Sequence, residues 1–151
     1  MQTTIQHLYK PSNDDNSLFY AWFLAMHTRV DIILCSRKSE GELLLVVNRI
    51  YDALCRLEKM ANFYDPASEL SVVNRTAFVS PVVLSEELYS MIDLCLEYNS
   101  KTLGCFDVTV HSENYNQNTI HSVHLSAGDH SICFSQPGVT INLSGFLKGY
   151  A

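Results

Sequence analysis

The sequence lacks the features that define several large classes of protein. Only ten of its 151 residues are Lys or Arg, and the formal net charge is −6. A nucleic-acid-binding protein needs a basic face to neutralise phosphates, so nucleic acid is not an expected partner. The apolar stretch 18–35 is interrupted by Arg29 and Asp31, which leaves no run long enough to cross a membrane. We therefore expect no membrane association.

Targeting signals and metal-binding cysteine motifs are also missing. The N-terminus has no basic segment followed by an apolar core, so neither a signal peptide nor a lipobox is predicted, and cytoplasm is the default expectation. No C-x-x-C pair occurs among the five cysteines, which argues against a zinc site. We interpret the four cysteines in apolar stretches as small buried residues in a reducing compartment. They are Cys35, Cys55, Cys95 and Cys133.

The composition that is present is that of a folded globular protein. Apolar residues make up 47% of the chain and charged residues 17%, which is unlike a disordered sequence. A length of 151 residues suits one hydrophobic core. We predict a polar N-terminal lead-in over 1–17 and a single domain over 18–151.

The first half of the domain predicts two strands followed by a helix. Residues 18–24 and 29–35 are rich in aromatic and β-branched residues, and we expect a connection near Met26-His27-Thr28. Ser39 and Glu42 form a capping box that opens a helix to about residue 62. Along it, apolar residues recur at steps of three and four, as in a helix that packs on a sheet.

The second half predicts two further helices and several short strands. A helical turn is expected over 69–75, a β-rich run over 78–84, and a helix capped by Ser85 that ends near residue 99. The segment 106–110 is a short strand or extended segment, and 111–119 is a polar loop. Three short strands follow over 123–125, 131–134 and 139–143. The fold class is α+β, an antiparallel or mixed sheet with two main helices packed on one face.

The C-terminal end of the sequence predicts an anion site. Ser144-Gly145 is expected to open a helix directly after a strand. The first amide N–H groups of a helix have no partner within it, so we expect them to face a negatively charged ligand.

Four local patterns, taken in chain order, are similar to motifs of one known family. The chain resembles the FAD:protein FMN transferases, the ApbE-like flavin transferases, over 18–151. The family motifs are Met-Gly-Thr, Tyr-x-x-x-Ser-Glu-Leu/Ile-Ser with a later Asn, Thr-x-Gly-Ala-Phe-Asp-x-Thr-Val and Asp-Leu-Gly-Gly/Ala-Ile-Ala-Lys-Gly-Tyr-Ala. They correspond to Met26–Thr28, Tyr64–Ser71 with Asn74, Thr102–Val110 and Asn142–Ala151.

The resemblance implies a specific chemistry. Members of the family bind FAD and, with Mg²⁺, attach its FMN portion through a phosphodiester to a Thr or Ser hydroxyl of an acceptor protein, with release of AMP. The metal in such a reaction neutralises the diphosphate charge, while the protein positions the attacking oxygen. FAD, Mg²⁺ and an acceptor protein are therefore the expected ligands and partner.

The resemblance also implies roles for individual residues. The expected FAD-binding residues are Met26, Tyr64, Cys105, Phe106, Asp107, Asn142 and Lys148, and the backbone carbonyl of Gly145 is the expected metal ligand. Tyr64 would offer its ring for stacking, and Lys148 would lie near the diphosphate. No catalytic residue is assigned.

Structural roles for some of these residues stay open. Met26 and Phe106 could belong to the core, Tyr64 could be a surface residue, and Lys148 could be solvated. Asp107 could instead hydrogen-bond within its own turn, as Asp side chains often do. The sequence itself does not decide between these alternatives.

The sequence also departs from the family pattern. Typical members are about twice as long, and this chain resembles their N-terminal half, so we expect an incomplete or truncated enzyme. His27 replaces a glycine and Asn142 replaces an acidic residue. The alternative function is a non-catalytic relative that binds a partner or flavin nucleotide without transfer. A homo-oligomer or a separate C-terminal half is a possible partner.

Overall fold

The computed structural model describes residues 4–12 and 16–151. The strands are β1 (Gln6–Lys10), β2 (Ser17–Ala25), β3 (Thr28–Ser36), β4 (Val82–Val83), β5 (Val123–Ser126) and β6 (Ser131–Phe134). The helices are α1 (Glu40–Ala61), α2 (Glu69–Thr76), α3 (Glu86–Lys101) and α4 (Ser144–Tyr150), with a 3₁₀ helix at Thr119–Ser122. The chain divides into two compact units, Met1–Glu58 and Lys59–Ala151.

The first unit contains an antiparallel sheet in the order β1-β2-β3. Its central strand β2 alternates between buried and more exposed residues, because successive side chains of a strand point to opposite faces. Phe19, Ala21 and Phe23 are almost completely buried on the inner face. The ring of Phe23 meets the edge of Tyr51 of α1 at 5.1 Å, so the two predicted strands and the predicted helix share one core.

A two-residue turn joins β2 to β3, as predicted. Ala25 pairs with Thr28, and Met26 and His27 between them have φ angles of 50° and 55°. Two successive positive φ angles are typical of the type I′ hairpin turn, in which glycine is favoured. His27 therefore adopts a conformation that suits the glycine of the family motif. Glu58 accepts a hydrogen bond from the Met26 N–H at 2.9 Å and fixes the turn.

The capping box predicted at the start of α1 is present. The backbone N–H of Ser39 donates to Glu42 at 3.0 Å, and the backbone N–H of Glu42 donates to the Ser39 hydroxyl at 3.4 Å. The bond from the Ser39 N–H, and a second bond from the Ser39 hydroxyl to the Glu42 carboxylate at 2.8 Å, lower the pKa of Glu42, since they favour its charged form.

Strand β1 was not predicted, and it lies in the lead-in 1–17. Residues 1–3 and 13–15 of that lead-in lie outside the described residues. The inward-facing residues of β1 are His7 and Tyr9, and His7 stacks on Phe19 at 5.1 Å. His7 and Tyr9 carry little hydrophobic signal, and the apolar Leu8 between them is exposed, so the pattern did not indicate a strand.

The second unit contains α2, α3, α4 and an antiparallel sheet in the order β4-β6-β5. Ser68 caps α2, and Ser85 caps α3 as predicted. Leu88, Met91 and Ile92 of α3 are completely buried. The α+β class is confirmed, with the strands divided between two antiparallel sheets. In the described part of the chain, no helix is both long and apolar enough to cross a membrane.

Two predicted extended segments of the second unit are not strands. Residues 106–110 form turns, because Asp107 accepts hydrogen bonds from its own neighbours. Residues 139–143 are irregular, because the side chain of Asn74 forms hydrogen bonds with both the N–H and the carbonyl of Ile141. In both segments a polar side chain replaces the neighbouring strand as hydrogen-bonding partner.

The expected burial of the four cysteines holds for Cys95 alone. Its side chain is buried in α3, and desolvation raises the pKa of its thiol to about 12. Cys35 is exposed, and Cys55 and Cys133 are intermediate, so the expectation is wrong for these three. Cys35 lies on the outer face of an edge strand, where an apolar sequence run does not imply burial.

These differences predict the order in which the thiols react. At pH 8 the thiol of Cys95 is fully protonated and inaccessible, whereas Cys35 and Cys105 are exposed, so iodoacetamide should modify the two exposed cysteines first. Mass spectrometry of tryptic peptides measures the order, with urea-unfolded protein as the control in which all three react. Equal modification of Cys95 and Cys105 in the folded protein would contradict this fold.

Candidate functional site

A groove of about 320 Å³ brings five of the predicted site residues together in the second unit. One wall is the segment 105–111, and the other is the segment 142–146. The predicted residues that line the groove are Cys105, Phe106, Asp107, Asn142 and Gly145. Its volume lies at the lower end of the about 300–1,000 Å³ found for ligand pockets.

Helix α3 holds the first wall in place. Asn99 donates from its side chain to the carbonyl of Phe106 at 2.7 Å, and Thr102 accepts the Phe106 N–H at 3.0 Å. The chain leaves α3 through Leu103 and Gly104, with φ angles of 53° and 83°. Positive φ angles turn the chain sharply, so Phe106 comes back towards the helix that precedes it.

Asp107 is tied into its own turn. Its Oδ1 accepts from the Thr109 N–H at 2.7 Å and from the Thr109 hydroxyl at 2.6 Å, and its Oδ2 accepts from the Tyr115 hydroxyl at 3.1 Å. Partial desolvation and the neighbouring carboxylate raise the pKa of Tyr115. These contacts describe the structural role left open for Asp107, and its binding role stays a prediction.

An amide clamp holds the second wall. The side chain of Asn74 donates to the carbonyl of Ile141 at 2.9 Å and accepts its N–H at 2.8 Å. The next residue, Asn142, donates its backbone N–H to Val108 of the first wall at 2.8 Å. Helix α2 thus positions the second wall, and Asn142 joins the two walls to each other.

The expected row of free amides at the start of α4 is not present. The Ser144 N–H donates to Asn142 Oδ1 at 2.9 Å, and the N–H groups of Phe146 and Leu147 both donate to the carbonyl of Leu143. Among the described residues, only the Gly145 N–H of this first turn lacks a partner. The expectation of a row of free amides is therefore wrong, because Asn142 and Leu143 already accept from three of these four N–H groups, and the anion site itself stays a prediction.

An aromatic cavity of about 420 Å³ adjoins the groove. Phe106 and Phe146 line both spaces, and Tyr98 and Tyr150 complete the aromatic lining. The rings of Phe146 and Tyr150 lie 5.4 Å apart, and those of Tyr98 and Phe106 lie 6.2 Å apart at 84°. The groove therefore lies beside aromatic side chains of the kind on which a flat ring can stack.

The remaining predicted residues lie outside the groove lining. Tyr64 is 75% exposed, and its ring meets the edge of Phe63 at 5.2 Å. Lys148 is exposed on α4 and does not line the groove. Met26 belongs to the first unit, and its side chain is buried. The binding roles of these three residues stay predictions.

His111 lines the groove and was not singled out from the sequence. Its Nδ1 lies 3.5 Å from the side-chain nitrogen of Asn142, and its ring lies 5.5 Å from that of Phe63. Through Phe63 it links the exposed Tyr64 to the groove. A lone His in a polar loop gives no sequence signal, because only the folded chain places it opposite Asn142.

The described residues do not supply a complete Mg²⁺ site. Among them, no three His, Cys, Asp or Glu side chains cluster closely enough to hold a metal ion. The expected ligand Gly145 would contribute a single backbone carbonyl, whereas Mg²⁺ favours carboxylates in octahedral geometry. The residues present therefore do not fit a resident Mg²⁺ ion.

Comparison with known proteins identifies the family. The model of the ApbE family matches residues 26–114, which is more than half of the chain. The chain belongs to the ApbE family. It is 26% identical over 126 residues to the FAD:protein FMN transferase of Chlamydia muridarum, a match that covers 70% of this chain and 39% of that protein.

Solved structures of ApbE proteins share the fold. The ApbE protein of Thermotoga maritima matches with a TM-score of 0.74 and 22% identity over 88% of this chain and 49% of that one. The flavin transferase ApbE of Vibrio cholerae matches with a TM-score of 0.60 and 16% identity over 98% and 50% of the two chains. The chain thus spans about half the length of these ApbE structures.

The ApbE motif around residues 64–71 serves the structure of this chain. Ser68 caps α2, and Glu69 accepts from the backbone N–H and the hydroxyl of Ser85 at 2.6 and 2.8 Å. Leu70 is completely buried, and the Ser71 hydroxyl donates to the carbonyl of Phe63 at 3.3 Å. The motif therefore fixes the loop that contains Tyr64. It also hydrogen-bonds to Ser85, the N-cap of helix α3, which holds the first wall.

The amide clamp predicts a large effect of a small substitution. Asn74→Ala leaves the N–H and carbonyl of buried Ile141 without their partners and should lower the free energy of unfolding by about 1–3 kcal/mol. Urea denaturation followed by circular dichroism measures the change. Asn48→Ala is the control, since Asn48 is exposed on α1 and its loss should cost less than about 0.5 kcal/mol. Equal stability of the two variants would contradict the clamp.

Proposed function

We propose that this chain binds FAD and takes part in the transfer of its FMN portion to a Thr or Ser hydroxyl of an acceptor protein. Membership of the ApbE family supports the reaction class, and the groove between 105–111 and 142–146 supports the location. The observation that carries the proposal is that five residues chosen from family motifs far apart in the sequence line one groove.

The proposed reaction exchanges one bond to phosphorus for another. The acceptor hydroxyl oxygen forms a bond to the phosphorus of the FMN portion, and the bond from that phosphorus to the bridging oxygen breaks. AMP leaves with the bridging oxygen, and the hydroxyl proton passes to a base. No residue of this chain is assigned as that base. Mg²⁺ dependence is implied by the family resemblance, and no step is assigned to the metal here.

The residues of the groove would bind and orient the nucleotide. Asp107 has acceptor oxygens only, so it would recognise hydroxyl or amino donors of FAD rather than its phosphates. Asn142 and His111 offer polar side-chain nitrogen atoms at the junction of the two walls. Tyr64 would stack its exposed ring on a flat ring of the ligand, while Lys148 and Met26 keep the roles implied by the family motif.

A second function remains a candidate because the described residues lack a Mg²⁺ ligand set. In that case the chain binds a flavin nucleotide or a partner protein without transfer. Calorimetric titration of FAD with and without Mg²⁺ tests binding, and mass spectrometry of a Thr-bearing acceptor tests transfer. A mass gain equal to FMN supports the transferase. Binding without that gain supports the second function. Absence of FAD binding contradicts the transferase and nucleotide binding, and leaves only binding to a partner protein.

Tyr64 gives a sharper test of where FAD binds. Tyr64→Ala should weaken FAD binding about tenfold, since stacking on an aromatic side chain contributes about 1–3 kcal/mol per base. Tyr64→Phe keeps the ring and should bind within about twofold of the unchanged chain. Calorimetry measures both. Because this side chain is exposed, we expect both variants to fold as the unchanged chain does, and circular dichroism checks this. Equal affinity of all three proteins would exclude Tyr64 from the site.

A further inference from the structure

A second polar cavity, of about 420 Å³, meets the groove at Cys105. Cys105 lines both spaces, so they are neighbours on the surface of the second unit. We call this cavity the amide pocket. Its lining includes Asn99, Leu103, Cys105, Gln117, Asn118 and His121.

Three side chains of the amide pocket have unused hydrogen-bonding groups. Gln117, Asn118 and His121 are exposed, and their side chains make no hydrogen bond or ion pair with the residues that the structure describes. The backbone around them is nevertheless fixed. The Asn118 N–H donates to the side chain of Asn116 at 2.9 Å, and the His121 N–H donates to the carbonyl of Asn118 at 3.0 Å. These bonds fix the backbone, and the side-chain donors and acceptors lie at the rim of the cavity.

Leu103, at the same rim, combines a left-handed backbone with a highly exposed apolar side chain. Its φ angle is 53°, in the left-handed region that favours glycine or asparagine, and its side chain is 93% exposed. Neither the backbone strain nor the exposed apolar surface contributes to stability. A large apolar side chain in this position is understandable if it covers a bound ligand.

We propose that the amide pocket binds the flat heteroaromatic ring at one end of the dinucleotide, with Leu103 against its face and the amides at its edge. This inference rests on the proposed function. No Lys or Arg lines the pocket, so it suits a neutral ring rather than a phosphate. Asn and Gln side chains match the donor and acceptor edge of such rings. The neighbouring groove of about 320 Å³ is small for a whole dinucleotide, which must extend beyond it.

The test compares FAD binding by calorimetry for four proteins. They are the unchanged chain, the double variant Gln117→Ala with Asn118→Ala, the variant Leu103→Gly and the control Gln136→Ala. Gln136 is an exposed amide in the same unit that does not line the pocket. We expect the double variant to bind FAD about tenfold more weakly, since it removes two neutral hydrogen bonds. The control should bind as the unchanged chain does.

Leu103→Gly separates a binding role from a structural one. Glycine relaxes the left-handed backbone, so the variant should be at least as stable in urea while it binds FAD severalfold more weakly. A structural role for Leu103 would lower stability instead. Unchanged FAD affinity in both Leu103→Gly and the double variant would overturn the inference and leave the proposed function standing. If the unchanged chain does not bind FAD, the proposed function fails first and the inference with it.

AMP and FMN identify which ring occupies the amide pocket. If the ring is adenine, the double variant loses affinity for AMP and keeps its affinity for FMN. If the ring is the isoalloxazine, the reverse holds. Either selective loss supports the inference, whereas equal binding of both nucleotides by the unchanged chain and the double variant contradicts it.

Discussion

The candidate site depends on one constraint, which is that residues 105–111 of the first wall and 142–143 of the second belong to no helix or strand. Backbone N–H and carbonyl groups that are buried outside a helix or strand need other hydrogen-bonding partners, such as side chains. Asn74 supplies both partners of Ile141, and Asn99 supplies one for Phe106. Helix α2 thus holds the second wall through one amide side chain, and the C-terminal end of α3 holds the first wall through Asn99 and Thr102. Removal of either amide affects the position of a wall rather than the chemistry of its surface.

This arrangement explains why family motif residues serve two different purposes in one chain. Ser68, Glu69 and Asn74 bind other parts of the protein and determine where the loops lie. Cys105 and Asn142 line the groove that these contacts create. A motif residue that never touches a ligand can therefore be needed for binding, because it helps to position the walls.

Regular elements were largely predictable from the sequence, and irregular ones were not. The hairpin of β2 and β3, the capping box of α1 and the cap of α3 each depend on residues close together in the chain. Strand β1 was missed because its inner residues, His7 and Tyr9, are polar. The segments 106–110 and 139–143 were predicted as extended or as a strand, but Asn74 pairs with Ile141 across 67 positions. Likewise, only the folded chain brings His111 to Asn142 and brings the residues that line the amide pocket together.

The central claim is that the groove between 105–111 and 142–146 holds FAD. A crystal structure of the chain grown with FAD tests it most directly. The account predicts FAD in contact with both walls, with one ring of the dinucleotide beyond Cys105. FAD bound elsewhere on the chain, with the groove filled by solvent alone, would contradict it.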